Sequence, residues 1–306
     1  MRRCSNDWLL FVPLVFLLLA CDSAKTDEKA KVTTETKTKA EEKRFSVRGV
    51  VKELYPDGKT AKIKHEAIPN YMAAMTMDFE THNTNELRGL SQGDLISFQM
   101  VVTETDGWIE KVQKLNAPPQ QTPSIETMRI VREVDPLKPG DVMPDYSFTN
   151  EFGKAIKLSD YKGQALAITF IFTRCPFPTF CPRMSNNLLD AQKFILSQAN
   201  APTNWHLLTL TFDPQNDTPE VLKAYATRYK YDPSRWSFLT GELIDITAIT
   251  EQFGQQFWTD AAAGGLNHNL RTAVIDAQGK VRTVFQGNTW TPEDLAKEII
   301  EAAKAK

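Results

Sequence analysis

The sequence predicts an α/β domain preceded by a small all-β domain. Three observations carry this expectation. From Phe45 to Leu115 apolar and polar residues alternate in short runs with no helix-length period. From Gly140 to the C terminus, continuous apolar runs of strand length alternate with segments of helical period. Between the two stands the Pro/Gln-rich stretch "NAPPQQTP", which reads as part of a linker over 116–139. A chain of 306 residues is long enough for two domains of ordinary size.

In the first domain, "SVRGVVKEL" runs to a turn at "PDG" and is followed by "TAKIKHEAI". "DLISFQMVV" places Ile96, Phe98, Met100 and Val102 on one face, and after a turn at "TDG" comes "WIEKVQKL". Several short strands in so short a span imply a small closed β-barrel over 45–115. In the second domain, over 140–306, "ALAITFIF" is a strand buried on both faces, and "CPFPTFC" is a loop with a cysteine at each end. A helix follows, with Met184, Leu188, Ile195 and Leu196 as its apolar positions. "HLLTLTF" is a second buried strand, and "DTPEVLKAYATRY" a helix capped by Asp217 or Thr218 with Pro219 in its first turn. "TAVIDAQGKVRTVFQ" is a hairpin turning at "AQGK", and Thr291 caps a terminal helix. Strand, cysteine loop, helix, strand, helix, hairpin and helix form the thioredoxin-like order.

The composition is that of a folded soluble protein, with 42% hydrophobic and 24% charged residues. A net charge of -2 gives no reason to expect nucleic acid as a partner. The N terminus stands apart. Arg2 and Arg3 precede the apolar run "WLLFVPLVFLLLA", which is shorter than the ~20 apolar residues of a comfortable membrane span. The run ends in "LLAC", which resembles the lipobox of bacterial lipoproteins. That resemblance implies a signal peptide over 1–20, lipidation of Cys21, and attachment to a membrane on the periplasmic side; an uncleaved anchor helix is the alternative. The charged, Thr-rich segment 21–44 has no aromatic residue before Phe45 and reads as a disordered tether.

The chain has four cysteines. If Cys4 is removed with the signal and Cys21 carries lipid, only Cys175 and Cys181 remain as thiols, in a compartment where an uncomplexed dithiol oxidises. A disulfide across so short a loop would add little stability. A redox role is better supported, because Cys181 falls at a helix start, where backbone N–H groups favour its thiolate. Yet five residues separate the cysteines, whereas thioredoxin-type dithiols have two. A peroxidase motif would place Thr where Phe172 stands. A metal role asks for a third ligand, and thiolates with an imidazole suit copper in either oxidation state. Of the four histidines, His206 opens a buried strand as a packed or hydrogen-bonded residue, and His82 lies in a polar turn. His268 lies in a loop just before a strand.

"TFIFTRCPFPTFCPRMS", "LTFDPQNDTPEVLKAYA" and "LNHNLRTAVIDAQGKV" resemble, in order and spacing, the Sco/SenC family of copper chaperones. The resemblance implies a thioredoxin-like fold and copper, as Cu(I) or Cu(II), held by Cys175, Cys181 and His268. It places Asp213 behind these ligands, supporting them without touching the metal. It also implies a client, the copper-site subunit of cytochrome c oxidase, alongside other periplasmic copper proteins. The sequence departs from the family in having five residues between its cysteines instead of three, and in lacking an Asp after the first Cys-Pro.

A second soft-metal motif lies in the first domain. "HEAIPNYMAAMTMDF" holds one histidine and three methionines, with Met75 and Met77 on one face of a strand. Thioether sulfur suits Cu(I) and needs no deprotonation, although methionines also fill cores. The stretch resembles the CusF-type periplasmic copper-binding domain, a five-stranded OB-like barrel. That resemblance implies His65, Met75 and Met77 as ligands, with Met72 either a fourth ligand or an apolar lid. The expected function is therefore an exported copper chaperone. A thiol–disulfide reductase that keeps a client's cysteines reduced, and a copper sensor or buffer, are the alternatives.

Overall fold

The computed structural model describes residues 42–115, 132–259 and 265–305. The signal peptide, Cys21, nearly all of the tether and much of the linker expected above lie outside the described residues. Among the described residues, no helix is long and apolar enough to cross a membrane.

The first domain is five antiparallel strands: β1 (Lys43–Leu54), β2 (Thr60–His65), β3 (Met75–Glu80), β4 (Leu95–Val102) and β5 (Gly107–Lys114). Their order across the sheet is β3-β2-β1-β4-β5. Strict alternation in β2 and β3 turns Ala61, Ile63 and His65, with Met75, Met77 and Phe79, to the inside. Ile96, Phe98, Met100 and Val102 are buried as the alternation requires. Where β1 crosses β2, Gly49 is required by close approach: a Cβ there would lie 2.5 Å from Ile63 Cγ2 and 2.9 Å from the Lys64 carbonyl oxygen. The expectation of a closed barrel is corrected. The ladder ends at β3 and β5, which are not hydrogen-bonded to each other. The reason lies at the β3 edge, where the Thr76 N–H donates to the Asn267 side chain of the second domain. At that position the neighbouring domain, and not β5, satisfies the edge.

The second domain is built on a seven-stranded sheet, ordered β14-β13-β8-β9-β10-β6-β7. Its strands are β6 (Ser147–Asn150), β7 (Ala155–Lys157), β8 (Ala165–Ile171), β9 (Trp205–Thr211), β10 (Trp236–Thr240), β13 (Arg271–Ile275) and β14 (Val281–Gln286). A separate two-stranded ribbon comprises β11 (Phe257–Thr259) and β12 (Leu266–His268). β8, β9 and β10 are parallel, and every residue of all three is buried. This is why β8 reads as a nearly continuous apolar run and why none of the three alternates apolar with exposed polar residues. The helices are α1 (Cys181–Ser197), α2 (Pro219–Thr227), α3 (Leu243–Gln252) and α4 (Pro292–Ala303). α1 links β8 to β9, and it packs with α4 against β8.

The thioredoxin-like arrangement expected from the sequence is present. Its central strands are parallel, and the hairpin β13–β14 lies antiparallel beside β8. Three local expectations are refined. In α1 the buried positions include Cys181, Met184, Leu188 and Ile195, while Leu196 is exposed, one residue past the apolar stripe. Thr218 caps α2 by accepting from Val221 N–H, which frees Asp217 for another task. Pro182 follows Cys181, which is itself the first helical residue.

Candidate metal centre

The cysteine loop starts where β8 leaves the sheet. Phe172 O accepts from Cys175 N–H at 3.3 Å, and Phe177 O accepts from Phe180 N–H at 3.1 Å, so two successive turns bring the chain into α1. Asp217 holds the beginning of this loop. Its carboxylate is fully buried and accepts from Thr173 N–H at 3.0 Å, from Thr173 Oγ1–H and from Thr211 Oγ1–H. Asp213 binds further out, accepting from Arg174 at 2.8 Å and from Asn216 at 2.8 Å. It therefore reaches the site through the residue that precedes Cys175.

His268 closes the site from the other side. The sequence suggested a loop position, but His268 ends β12, paired with Phe257 of β11, and it is buried. Phe172, Phe180 and Phe212 surround its ring, with centroids 5.4, 5.5 and 5.2 Å away. The carbonyl of Asn269, 2.9 Å from Nδ1, can only accept, so the proton sits on Nδ1 and Nε2 carries the lone pair. The ligand atoms of Cys175, Cys181 and His268 lie within 4.8 Å of one another. Both thiols are free.

The two thiols differ sharply. Burial opposes ionisation of Cys175, but the hydrogen bond from Cys181, with a further lowering contribution from His268, outweighs it and holds this thiol well below its ordinary value. Burial pushes Cys181 well up, and its hydrogen bond to Cys175 and the Cys175 charge add to that. The sequence suggested the reverse, because Cys181 stands at a helix start. The structure corrects this: Cys181 is fully buried and donates its proton toward Cys175, so the half-buried partner ionises first.

In the first domain, His65 and Met75 face each other across the β2–β3 ladder, with Met77 two residues further along the same face. His65 repeats the His268 arrangement: Nδ1 donates to the Glu66 carbonyl at 2.7 Å. Its Nε2 is buried without a hydrogen-bond partner among the described residues. Burial lowers the tendency of this ring to protonate, which keeps Nε2 as a lone-pair donor. A buried, unpartnered imidazole nitrogen beside thioether sulfurs has the donor chemistry of a soft-metal site. Met72 is buried as well and stands on an isolated bridge with Ile68.

The family model for SCO1/SenC matches residues 134–304. The chain belongs to the SCO1/SenC family. A second model, described as copper binding periplasmic protein CusF, matches residues 44–114. Among SCO1/SenC relatives, the chain is similar to an SCO1 protein homolog of Bacillus subtilis, at 36% identity over 176 residues, covering 56% of this chain and 87% of that protein. An SCO2-like protein of Rickettsia felis is 29% identical over 171 residues, covering 52% and 74%. A solved SCO1/SenC family lipoprotein from Bacillus anthracis aligns at 30% identity with a TM-score of 0.48, covering 56% of this chain and all of that one.

Within this SCO1/SenC chain the structure gathers Cys175, Cys181 and His268 into one group, and His65, Met75 and Met77 onto one face. Sequence reasoning gave Asp217 no role beyond a possible helix cap, and it is the residue that anchors the cysteine loop. The available signal was the pair Thr173, just past the end of β8, and Thr211, the last residue of β9. The phenyl rings around His268 were also missed, because aromatic residues at strand ends look like ordinary core.

Proposed function

We propose that this chain is an exported, lipid-anchored copper metallochaperone that holds its cargo at Cys175, Cys181 and His268. The observation that carries this reading is the convergence of two sulfurs and one imidazole nitrogen within 4.8 Å. A dithiol that only exchanges electrons needs no oriented imidazole, whereas a copper ion does need a third donor to complete its coordination. Cys175 offers a thiolate readily, and Cys181 gives up its proton when the ion binds. The phenyl rings around His268 exclude water and fix the ring, so little ordering remains to be done on binding.

By family resemblance the client is the copper-site subunit of cytochrome c oxidase. The first domain would carry Cu(I) on His65, Met75 and Met77. Processing ahead of Cys21 would leave residues 21–44 as a tether between the membrane and the folded domains.

Copper titration of the full chain tests the site. Cys175→Ser, Cys181→Ser and His268→Ala should each abolish tight binding at the second-domain site, as read by copper-to-thiolate absorption. Full affinity in His268→Ala would remove the three-ligand proposal. Fatty-acid labelling tests the anchor: Cys21→Ser should lose label, and equal label on both proteins would refute lipidation.

One observation favours a thiol–disulfide reductase as the second reading. Cys175 is half-buried with a lowered thiol, and Cys181 is buried behind it, which is the arrangement of an attacking and a resolving cysteine. Dithiol exchange in that case should survive His268→Ala.

A further inference from the structure

The two metal-binding faces meet. Met72, Met75 and Met77 from the first domain line the same small pocket as Cys175 and His268 from the second. The contacts that hold them together come from residues beside the ligands. Phe177, inside the cysteine loop, is buried with its ring edge on Phe79, centroids 5.8 Å apart. The tip of that ring rests on Gly107, where a Cβ would lie 2.7 Å from Cζ. Tyr71, next to Met72, donates its hydroxyl to the Pro176 carbonyl at 3.0 Å. Thr76, between Met75 and Met77, donates its N–H to the side chain of Asn267, the neighbour of His268. Arg183, two residues into α1 from Cys181, approaches Asp106 at 3.5 Å and Glu80 at 3.9 Å.

An interface that served only to pack two domains would have no reason to use the flanks of both cysteines, His268 and the three methionines. The lengthened cysteine loop has a use here as well. Its residues Pro176 and Phe177 reach into the first domain, which a shorter loop would have less chain to do.

We infer that the cysteine loop is a docking peg that locks the two sites face to face, so that Cu(I) passes directly from His65, Met75 and Met77 to Cys175, Cys181 and His268. The inference rests on the copper reading given above. In the transfer, the bonds from copper to His65 Nε2 and to the two thioether sulfurs break. Bonds to the two cysteine sulfurs and His268 Nε2 form. Copper stays Cu(I), no electron moves, and the thiol protons pass to the buffer. Met72 adds a third thioether to the wall of the shared pocket and is open to the ion on its way across.

The test uses the full chain without oxygen. One equivalent of Cu(I) is loaded at mildly acidic pH, where thioether sulfur has no proton to compete with copper and the thiols do. A jump to neutral pH in excess Cu(I) chelator then starts transfer, read as the rise of copper–thiolate absorption. The expected rate is independent of protein concentration, with little copper lost to the chelator, because tethering replaces a bimolecular encounter. Gly107→Leu fills the seat of Phe177, and Arg183→Glu sets like charges against Glu80 and Asp106. Neither touches a proposed ligand, so the equilibrium stoichiometry at both sites should hold. Transfer should slow by about tenfold or more, with copper diverted to the chelator. Wild-type rates in both variants, or a wild-type rate proportional to protein concentration, would overturn the inference. If Gly107→Leu does not fold, as judged by circular dichroism, Arg183→Glu decides alone. A wild-type chain that binds no Cu(I) at equilibrium would instead sink the copper reading itself.

Discussion

Replacing Asp217 isolates the support beneath the cysteine loop from the ligands themselves. Its carboxylate takes three hydrogen bonds, from Thr173 N–H at 3.0 Å and from the hydroxyls of Thr173 and Thr211. In Asp217→Ala the two hydroxyls can rotate toward other acceptors, but the part-buried Thr173 N–H loses its own. An unsatisfied buried donor costs about 1–3 kcal/mol and each lost charge-assisted bond about 1.5–3, so the variant should lose roughly 3–5 kcal/mol. Asp217→Asn keeps one oxygen for Thr173 N–H and Thr211, while its amide donates to the Thr173 hydroxyl. Burial already pushes the Asp217 carboxyl up, so removing the charge also removes a desolvation cost. The Asn variant should therefore lose no more than about 1–1.5 kcal/mol. Urea unfolding of the reduced, metal-free chain measures both. Because the carboxylate is held at the start of the loop, Asp217→Ala should also weaken copper binding, whereas Asp217→Asn should largely keep it. An Asp217→Ala chain with the wild-type midpoint would refute the anchoring role. Equal losses in the two variants would show that charge, and not the number of acceptors, holds the loop.

In the first domain, Met75→Leu with Met77→Leu is nearly volume-conserving and should cost less than about 1.5 kcal/mol per site. The full chain should fold and bind one Cu(I) fewer; unchanged stoichiometry would make these methionines core alone. His206 supplies a pH test remote from both sites. Burial lowers its ring from 6.5 to about 4, and Nε2 lies 2.9 Å from Ser237 Oγ. Between those pH values the unfolded chain binds a proton that the folded chain does not. Its contribution is therefore intact above the higher value and lost as pH falls toward the lower, up to about 3 kcal/mol. His206→Asn should remove that part of the acid sensitivity in urea unfolding at neutral and mildly acidic pH. An unchanged pH dependence would refute the assignment.

Much of the fold was legible because its signals are local. β8 is a nearly continuous apolar run and β9 is apolar but for buried His and Thr, since a strand covered on both faces has no exposed polar side to show. Thr218 before Pro219 and Thr291 before Pro292 mark helix starts through hydrogen bonds that span one turn. The short β6–β7 pair and the β11–β12 ribbon lacked such signals, because strands of three or four residues carry too little pattern. The failure to close the first sheet was also illegible. At the open β3 edge the Thr76 N–H is met by Asn267, distant in sequence.

The chemistry divides along the same line. Soft donors are a matter of residue type, so two cysteines and a His/Met cluster suited to copper stood out in the sequence, while the choice of Cys175, Cys181, His268, His65, Met75 and Met77 as ligands came from the family resemblances. Which thiol ionises first could not be read there, because it depends on Cys181 being sealed while Cys175 accepts the Cys181 hydrogen bond beside His268. Met72 could not be assigned either, since its neighbours across the pocket come from the other domain. The sequence by itself determined two soft-metal motifs on two kinds of fold, because side-chain chemistry and hydrophobic period are properties of short stretches. Only the tertiary structure decided that the motifs face one another across Phe177 and Gly107, because that contact joins residues with no local relation along the chain.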